Sequence, residues 1–275
     1  MPLPLPLPLS VFLITKNEAE RLRAALAAIL SLGREIVVVD SGSDDSTVAV
    51  AREMGARVII NAPFPGYGSQ KRFAEDACSE KWVLNIDADE VVTTELADEI
   101  RALFALGEPD ADGYLIDIVD VLPGDEVPGP LSYKLSPVRL YRKDRGRYAD
   151  SLVHDRVAFP AGATLKRLRH CIHHHSIRSL FQQLEKLNAY STLQAQDFVE
   201  RGRKLPFGRI FTAFPIAFLK AYFARRLFLR GGYGFLLAMN LAIFRHLRIA
   251  KIYELQRRPR RELKGADIHD KDSKT

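Results

Sequence analysis

Three carboxylates follow an apolar run in residues 83–90, which read VLNIDADE. The apolar part suits a buried parallel strand, whereas Asp87, Asp89 and Glu90 are costly to bury without a cation or hydrogen-bond donors. Such oxygen ligands suit Mg²⁺ or Mn²⁺, which usually share their coordination sphere with substrate phosphates. The sequence therefore predicts a metal-diphosphate site here. The alternative for an isolated Asp-x-Asp is a solvated turn at the end of a strand.

Alternating strand and helix patterns lead up to this segment. The apolar strands are expected at residues 11–14, 36–39, 57–60 and 82–86, with helical patterns between them. This alternation predicts an α/β fold with a doubly wound, mostly parallel sheet. Ligands of such sheets bind outside the carboxyl ends of the strands. Thr15, Asp40 and Asp87 all follow strand ends, so we expect them to line one crevice.

The second half of the chain has a different pattern. Residues 113–159 are richer in turns and short strand-like pieces, and Pro and Gly residues near 123–130 predict a long irregular loop. A long helix is expected from Ser179, with apolar or aromatic positions at helical spacing.

The composition indicates a globular protein. The chain has 275 residues and 47% hydrophobic content, enough for a sizeable core. Cys78 and Cys171 are too few for a disulfide framework, and a reducing compartment is expected. Residues 1–10 alternate Pro with Leu and lack the basic start and continuous apolar helix of a signal peptide. We expect them to form a flexible Pro/Leu tail, with a Pro-rich docking motif as the alternative.

Several motifs occur in a fixed order along the chain. LITKNEAERL, IVVVDSGSDDST, GYGSQKRFA and LNIDADE together resemble the nucleotide-binding domain of the inverting family-2 glycosyltransferases, over residues 10–106. Further along, VRLYRKDRGRYADSLVHDRV and HHHSIRSLFQQLEKLNAYS are similar to a subgroup of lipopolysaccharide-core β-glucosyltransferases. The resemblance implies a GT-A-type sheet, a UDP-sugar donor and an enzyme that transfers the sugar.

The resemblance also implies roles for donor-binding residues. The donor pocket would include Thr15, Asn17, Glu18, Asp40, Gly68, Lys71 and Asp87. Asp40 would accept a hydrogen bond from the uracil imide, with a helix N-terminal cap as the alternative. Gly68 and Lys71 would lie against the nucleotide or its phosphates, or else form a plain turn. Asp87 would contact the ribose or, indirectly, the metal.

Metal and base assignments follow in the same way. Asp89 would coordinate Mg²⁺ or Mn²⁺, and His174, the best match within the cluster of His170 and residues 173–175, would complete the coordination sphere. Asp155 is the candidate base, although relatives carry Glu there. Asp150 is the second candidate, and a surface salt bridge from Asp155 to Arg156 is the alternative.

The positive charge is concentrated near the C-terminus. Residues 200–264 carry 16 Lys and Arg against 3 Asp and Glu, a net charge of +13, whereas residues 1–199 have a net charge of −6. Basic residues interleaved with apolar and aromatic ones predict amphipathic helices at an anionic membrane surface. The alternative is a helical subdomain with solvated basic residues. Uncharged residues 231–244 are too few to span a bilayer, and no nucleic-acid-binding motif is present.

These inferences predict five segments and one function. The segments are a flexible tail at 1–10, a nucleotide-sugar-binding half at 11–110, an acceptor-binding catalytic half at 111–200, basic amphipathic helices at 201–264 and a polar tail at 265–275. We expect metal-assisted, inverting transfer from a UDP-sugar to a lipopolysaccharide-core or other lipid-linked acceptor, on the inner face of the bacterial cytoplasmic membrane. Nucleic acid is not an expected partner. A non-catalytic membrane-associated nucleotide-sugar-binding scaffold is the alternative.

Overall fold

A computed structural model describes residues 5–129, 132–149 and 156–257 of the chain. The chain divides into two compact units, one of residues 1–176 and one of residues 177–275. The finer segment boundaries expected from the sequence stay predictions.

The first unit is built of strands and helices. Its strands are β1 (Leu7–Thr15), β2 (Gly33–Asp40), β3 (Arg57–Ile60), β4 (Trp82–Asn85), β5 (Glu90–Val92), β6 (Gly113–Asp120), β7 (Lys134–Leu135), β8 (Val138–Arg142), β9 (Arg147–Tyr148), β10 (Val157–Ala158) and β11 (Leu165–His174). Its helices are α1 (Ala19–Ala27), α2 (Thr47–Glu53), α3 (Tyr67–Ala77) and α4 (Thr94–Ala105). The main sheet has the order β3-β2-β1-β4-β8-β6-β11-β5, with β7 beside β6, and β9 pairs with β10 in a second sheet.

The predicted α/β fold is confirmed. Strands β3, β2, β1 and β4 pair in parallel and are joined by helices, as the alternating pattern predicted. Beyond β4 the sheet is mixed, because β8 runs antiparallel to both β4 and β6 and β5 runs antiparallel to β11. No helix separates β6 from β8 within the described residues, and such direct connections favour antiparallel pairing.

Strand β1 begins earlier than its sequence predicts. We expected it at residue 11, but Leu7 already pairs with Gly33 and donates from its backbone N to Leu32 O at 2.9 Å. The pairing register shifts between Leu7 and Ser10, around Pro8. Since proline has no N–H to donate, an irregular strand start is the place where a sheet tolerates it.

Helices cover both faces of the parallel half of the sheet. Along β1, Val11 and Leu13 face one core cluster with α1 and α4, and Phe12 faces a second cluster with α3. All three side chains are fully buried. A strand buried on both faces reads as a continuous apolar run, which is why this pattern predicts the centre of a parallel sheet.

The second unit is helical, which confirms the predicted C-terminal helical region. It contains α5 (Leu180–Glu200), α6 (Arg209–Leu219), a π-helical turn (Lys220–Ala224), a 3₁₀ turn (Leu227–Arg230) and α7 (Gly231–Arg257). Helix α5 begins after Ser179, whose hydroxyl accepts a hydrogen bond from Gln182 N at 3.1 Å. By length and composition alone, the segment Leu227–Arg257 is long and apolar enough to cross a membrane.

Candidate active site

The acidic segment forms a tight turn between β4 and β5. Asp87 N donates to Glu90 Oε2 at 2.8 Å, and Glu90 N donates to Asp87 O at 3.0 Å. Strand β5 then pairs with β11 so that Glu90 lies opposite His174. The turn therefore brings the carboxylates that follow β4 beside the histidine-rich end of β11.

Asp87 is held by two buried cations. Its Oδ1 lies 2.8 Å from Lys71 Nζ on α3, and its Oδ2 lies 3.0 Å from Arg139 Nη2 on β8. Lys71 is 1% exposed and Arg139 is 5% exposed. Burial by itself would raise the pKa of Asp87, but the two cations outweigh it and hold that pKa well below its usual range. Asp87 is ionised, and each of its oxygens already has a cationic partner.

Arg139 connects three residues of the acidic turn. Besides Asp87, it contacts Glu90 Oε1 at 2.6 Å through Nη2 and donates to Asn85 Oδ1 through Nη1. Asn85 Oδ1 also accepts from Tyr148 OH at 2.7 Å. Burial raises the pKa of Glu90 above its usual range, although the positive charge of Arg139 acts to lower it. Arg139 is not among the site residues predicted from the sequence, although a basic residue inside the buried strand VRLYR is a signal for an internal ion pair.

Asp89 faces a different set of partners. Its Oδ1 lies 3.6 Å from His174 Nε2, and its Oδ2 lies 3.3 Å from Arg21 Nη1 on α1. Burial opposes ionisation, but His174 and Arg21 together lower the pKa of Asp89. The backbone carbonyl of Asp89 accepts from His175 N at 2.8 Å. The structure therefore brings together Asp89 and His174, the two residues predicted as metal ligands.

A second carboxylate orients His174 from behind. Asp120 on β6 is the register partner of His174 on β11, and its Oδ1 lies 2.8 Å from His174 Nδ1. Burial would lower the pKa of His174, but the hydrogen bonds to Asp120 and Asp89 outweigh it and raise that pKa to about 10. His170 is paired instead with Glu99, at 2.9 Å. Asp120 is not among the site residues predicted from the sequence.

These residues fit an incomplete divalent-cation site. Within the parts of the chain that the structure describes, no group of three or more His, Cys, Asp and Glu residues is placed to hold a metal. Asp89 and His174 offer two ligands, and a carboxylate on the second ring nitrogen is the usual support of a metal-bound histidine. Mg²⁺ and Mn²⁺ commonly take only one or two protein ligands and complete their sphere with substrate phosphates. The donor set therefore suits a cation that arrives with a diphosphate.

Thr15 and Asp40 lie side by side at the ends of β1 and β2, where they are register partners. Asp40 is fully buried, and its Oδ1 accepts from Gly42 N and Ser43 N at 2.9 and 2.8 Å. Its carboxylate thus stabilises the loop that precedes α2, and it is not the N-cap of that helix, which is Ser46. Thr15 is 5% exposed, and within the described structure its hydroxyl has no hydrogen-bond partner. Buried polar groups rarely stay unpaired, so this hydroxyl is a hydrogen-bonding group available to water or to a polar ligand.

The loop after β1 connects these residues to the acidic turn. Asn17 has a left-handed backbone (φ 56°), and its N donates to Ser43 Oγ at 2.9 Å. Glu18 binds Arg21 through both of its oxygens, at 2.8 and 2.6 Å. Since Arg21 also contacts Asp89, a continuous series of contacts joins the end of β2 to the predicted metal ligands.

Two predicted donor-binding residues lie on α3. The helix begins at Tyr67 and contains both Gly68 and Lys71. Lys71 points inward to Asp87. The two candidate bases, Asp150 and Asp155, lie outside the described residues.

Comparison with known proteins adds independent findings. The model of the family described as Glycosyl transferase family 2 matches residues 10–164. An uncharacterized glycosyltransferase of Rickettsia felis is 40% identical over 253 residues, covering 89% of each chain. The lipopolysaccharide core biosynthesis glycosyltransferase LpsC of Rhizobium meliloti is 33% identical over 250 residues, covering 89% of this chain and 92% of LpsC. Among solved structures, Staphylococcus aureus TarS 1-349 is 15% identical over 90% of this chain and 91% of TarS, with a TM-score of 0.47.

Proposed function

The chain belongs to glycosyl transferase family 2 and is a glycosyltransferase, and from that premise we propose that it transfers a sugar from a UDP-sugar to a lipopolysaccharide-core or other lipid-linked glycan at the inner face of the cytoplasmic membrane. The acceptor class is supported by the similarity to LpsC over most of both chains. The transfer is inverting and metal-assisted, and it forms a β linkage.

One observation carries the donor side of this proposal. Asp89 and His174 face each other across 3.6 Å, and Asp120 holds the far side of the imidazole. Together they would hold Mg²⁺ or Mn²⁺ beside the donor diphosphate. When bound, the cation would offset the negative charge that develops on the departing UDP. Asp87 remains with Lys71 and Arg139, so it shapes the turn that presents Asp89.

The nucleoside would lie toward Thr15 and Asp40. The unpaired Thr15 hydroxyl supports a polar ligand at that strand end. Direct displacement at the anomeric carbon also needs a carboxylate to accept the proton of the acceptor hydroxyl. Asp155 remains the candidate for this role, with Asp150 as the second.

The test is a calorimetric titration of UDP with and without Mn²⁺, followed by a panel of UDP-sugars assayed for transfer and donor hydrolysis. We expect Mn²⁺-dependent UDP binding and turnover of at least one donor. Asp89→Ala should abolish turnover and the Mn²⁺ dependence together. Asp155→Asn should abolish transfer and leave UDP affinity unchanged, because the base does not contact the nucleotide. A wild-type protein that neither binds UDP nor cleaves any UDP-sugar would refute the proposal.

A further inference from the structure

The second unit exposes a group of large apolar side chains on α6, the two turns and the start of α7. We call this group the aromatic face; its members are between 43% and 67% exposed, and they are Phe211, Ile216, Leu219, Phe223, Phe228 and Phe235. Soluble proteins seldom expose this much apolar surface in one region, and such surfaces usually mark an interaction site.

The aromatic face is supported by a ring cluster. Phe218 stacks on Tyr222 with ring centroids 5.4 Å apart and meets the edge of Phe235 on α7 at 5.5 Å. Tyr222 in turn contacts Phe228 in the 3₁₀ turn, at 6.2 Å. These contacts tie both turns to the two helices. Phe228 and Phe235, two members of the aromatic face, are therefore held in place by ring contacts.

The charge around this surface is of one sign. Residues 201–253 contain eleven Lys and Arg and no Asp or Glu. Lys220, Arg225 and Arg226 are exposed in the same stretch as the aromatic face. An anionic bilayer offers negative headgroups together with an apolar interior, which complements both features. A second copy of the chain would bring the same positive charge to the contact, and nucleic acid would leave the aliphatic side chains without partners.

Contacts between α5 and α7 indicate how this surface meets the bilayer. Asn240 of α7 donates to Leu180 O at 3.2 Å, and Lys251 donates to Asn188 Oδ1 at 2.7 Å and Ser191 Oγ at 2.7 Å. Helix α5 thus lies along α7 over several turns. A transmembrane α7 would draw α5 into hydrocarbon, and α5 exposes four charged side chains there: Glu185, Lys186, Asp197 and Glu200. Such charges are costly inside a membrane.

We propose that the aromatic face docks the protein onto an anionic bilayer, with α6 and α7 lying in the plane of the interface and neither helix crossing it. This inference rests on the proposed transfer to a lipid-linked acceptor. The docking surface would hold the enzyme at the membrane where that acceptor lies.

Vesicle flotation of the full chain tests the inference. Wild-type protein should float with phosphatidylcholine vesicles that contain phosphatidylglycerol, and not with phosphatidylcholine alone. Raising the salt concentration should weaken binding, because salt screens the attraction between the basic residues and the anionic headgroups. Alkaline carbonate should release the protein, as expected for a chain that does not cross the bilayer.

Matched variants separate the two attractions. Phe211→Ser with Phe223→Ser should weaken vesicle binding by roughly tenfold or more, since the variant loses the two aromatic rings that wild-type protein would bury in the bilayer. The control, Phe181→Ser with Leu193→Ser, changes two exposed apolar side chains of α5 and should bind normally. Lys220→Glu with Arg225→Glu should also abolish binding, whereas Arg52→Glu with Arg169→Glu, the same charge change on the exposed surface of the first unit, should not.

UDP titration without vesicles keeps this inference separate from the proposed function. Binding to vesicles without binding to UDP would refute the proposed function and support the docking surface. The docking inference is overturned if wild-type protein that binds UDP does not bind anionic vesicles, or if the Phe211→Ser with Phe223→Ser variant binds them as tightly as wild type. Carbonate-resistant insertion, dimerisation through the aromatic face, or salt-dependent binding to RNA in place of vesicles would overturn it too.

Discussion

Asp120 Oδ1 lies 2.8 Å from His174 Nδ1, on the ring nitrogen opposite the one that faces Asp89. The two residues are register partners on the parallel strands β6 and β11, so the sheet itself fixes their separation. A carboxylate in this position sets both the tautomer and the orientation of the imidazole. Asp120 is therefore a positioning residue for the proposed cation site.

Replacing Asp120 tests this role. Asp120→Asn should raise the Mn²⁺ concentration needed for UDP binding by roughly 10- to 100-fold, the usual effect of losing an outer-shell partner. The measurement is a UDP titration at a series of Mn²⁺ concentrations. Asp117→Asn is the matched control, because Asp117 lies three residues away on β6 and binds Lys134 and Ser136 instead. Equal Mn²⁺ requirements in both variants would contradict the assignment.

Arg139 should be important for stability. Arg139→Met would leave the ionised Asp87 without one of its two cations and Glu90 without its ion pair, which typically costs about 3–5 kcal/mol for buried groups. Urea denaturation measures the loss. Arg142→Met on the same strand is the control, since its partner Asp144 is half exposed and such pairs contribute about 1 kcal/mol or less.

A double variant separates the charge effect from lost packing. Glu90→Gln added to Arg139→Met removes the carboxylate that the first change left without its ion pair, and it should recover part of the stability. An Arg139→Met protein as stable as Arg142→Met would show that the buried network contributes little.

Glu35 should make folding sensitive to acid. Burial would raise its pKa, but hydrogen bonds from Ser10, Ser79 and Arg57 outweigh it and lower the pKa of Glu35 to about 2. The pKa of Glu in the unfolded chain is about 4.3. Ionised Glu35 therefore stabilises the folded state fully above about pH 4.3, and this stabilisation is lost as the pH falls toward 2. Allowing for solvent screening, it amounts to about 1–2 kcal/mol.

Denaturation of wild type and Glu35→Gln at several pH values checks this expectation. The stability difference between them should be full at neutral pH and should shrink below about pH 4. Glu53→Gln is the control, because Glu53 forms an exposed pair with Arg23 and should change the curve much less. A difference for Glu35→Gln that stays constant down to about pH 2 would refute the assignment.

Local sequence patterns were sufficient for the parallel half of the fold. The strands around Val11 and Val37 are apolar runs buried on both faces, and short helices with ordinary spacing join them. The placement of Asp89 and His174 could also be predicted, but only through the resemblance to a known family. No local signal pairs residue 89 with residue 174.

The network behind the site could not be predicted, because it depends on the mixed half of the sheet. Arg139 meets Asp87 only because β8 inserts antiparallel beside β4, and Asp120 meets His174 only because β6 and β11 pair in parallel with a particular register. Register between distant strands is determined by tertiary packing. Lys71 illustrates the same limit, since no local pattern predicted that its ammonium lies 2.8 Å from Asp87 Oδ1.

Thr15 offers a test in which UDP affinity should fall without a loss of stability. Its buried hydroxyl has no partner among the described residues, so Thr15→Val, which keeps the shape, should leave the protein as stable or raise its stability by about 1 kcal/mol. UDP affinity should fall about 3- to 10-fold if that hydroxyl binds the nucleoside. Thr47→Val is the control: the Thr47 hydroxyl accepts from Glu18 N at 2.8 Å, so its loss should lower stability. Unchanged UDP affinity in Thr15→Val would show that the donor does not use this strand end.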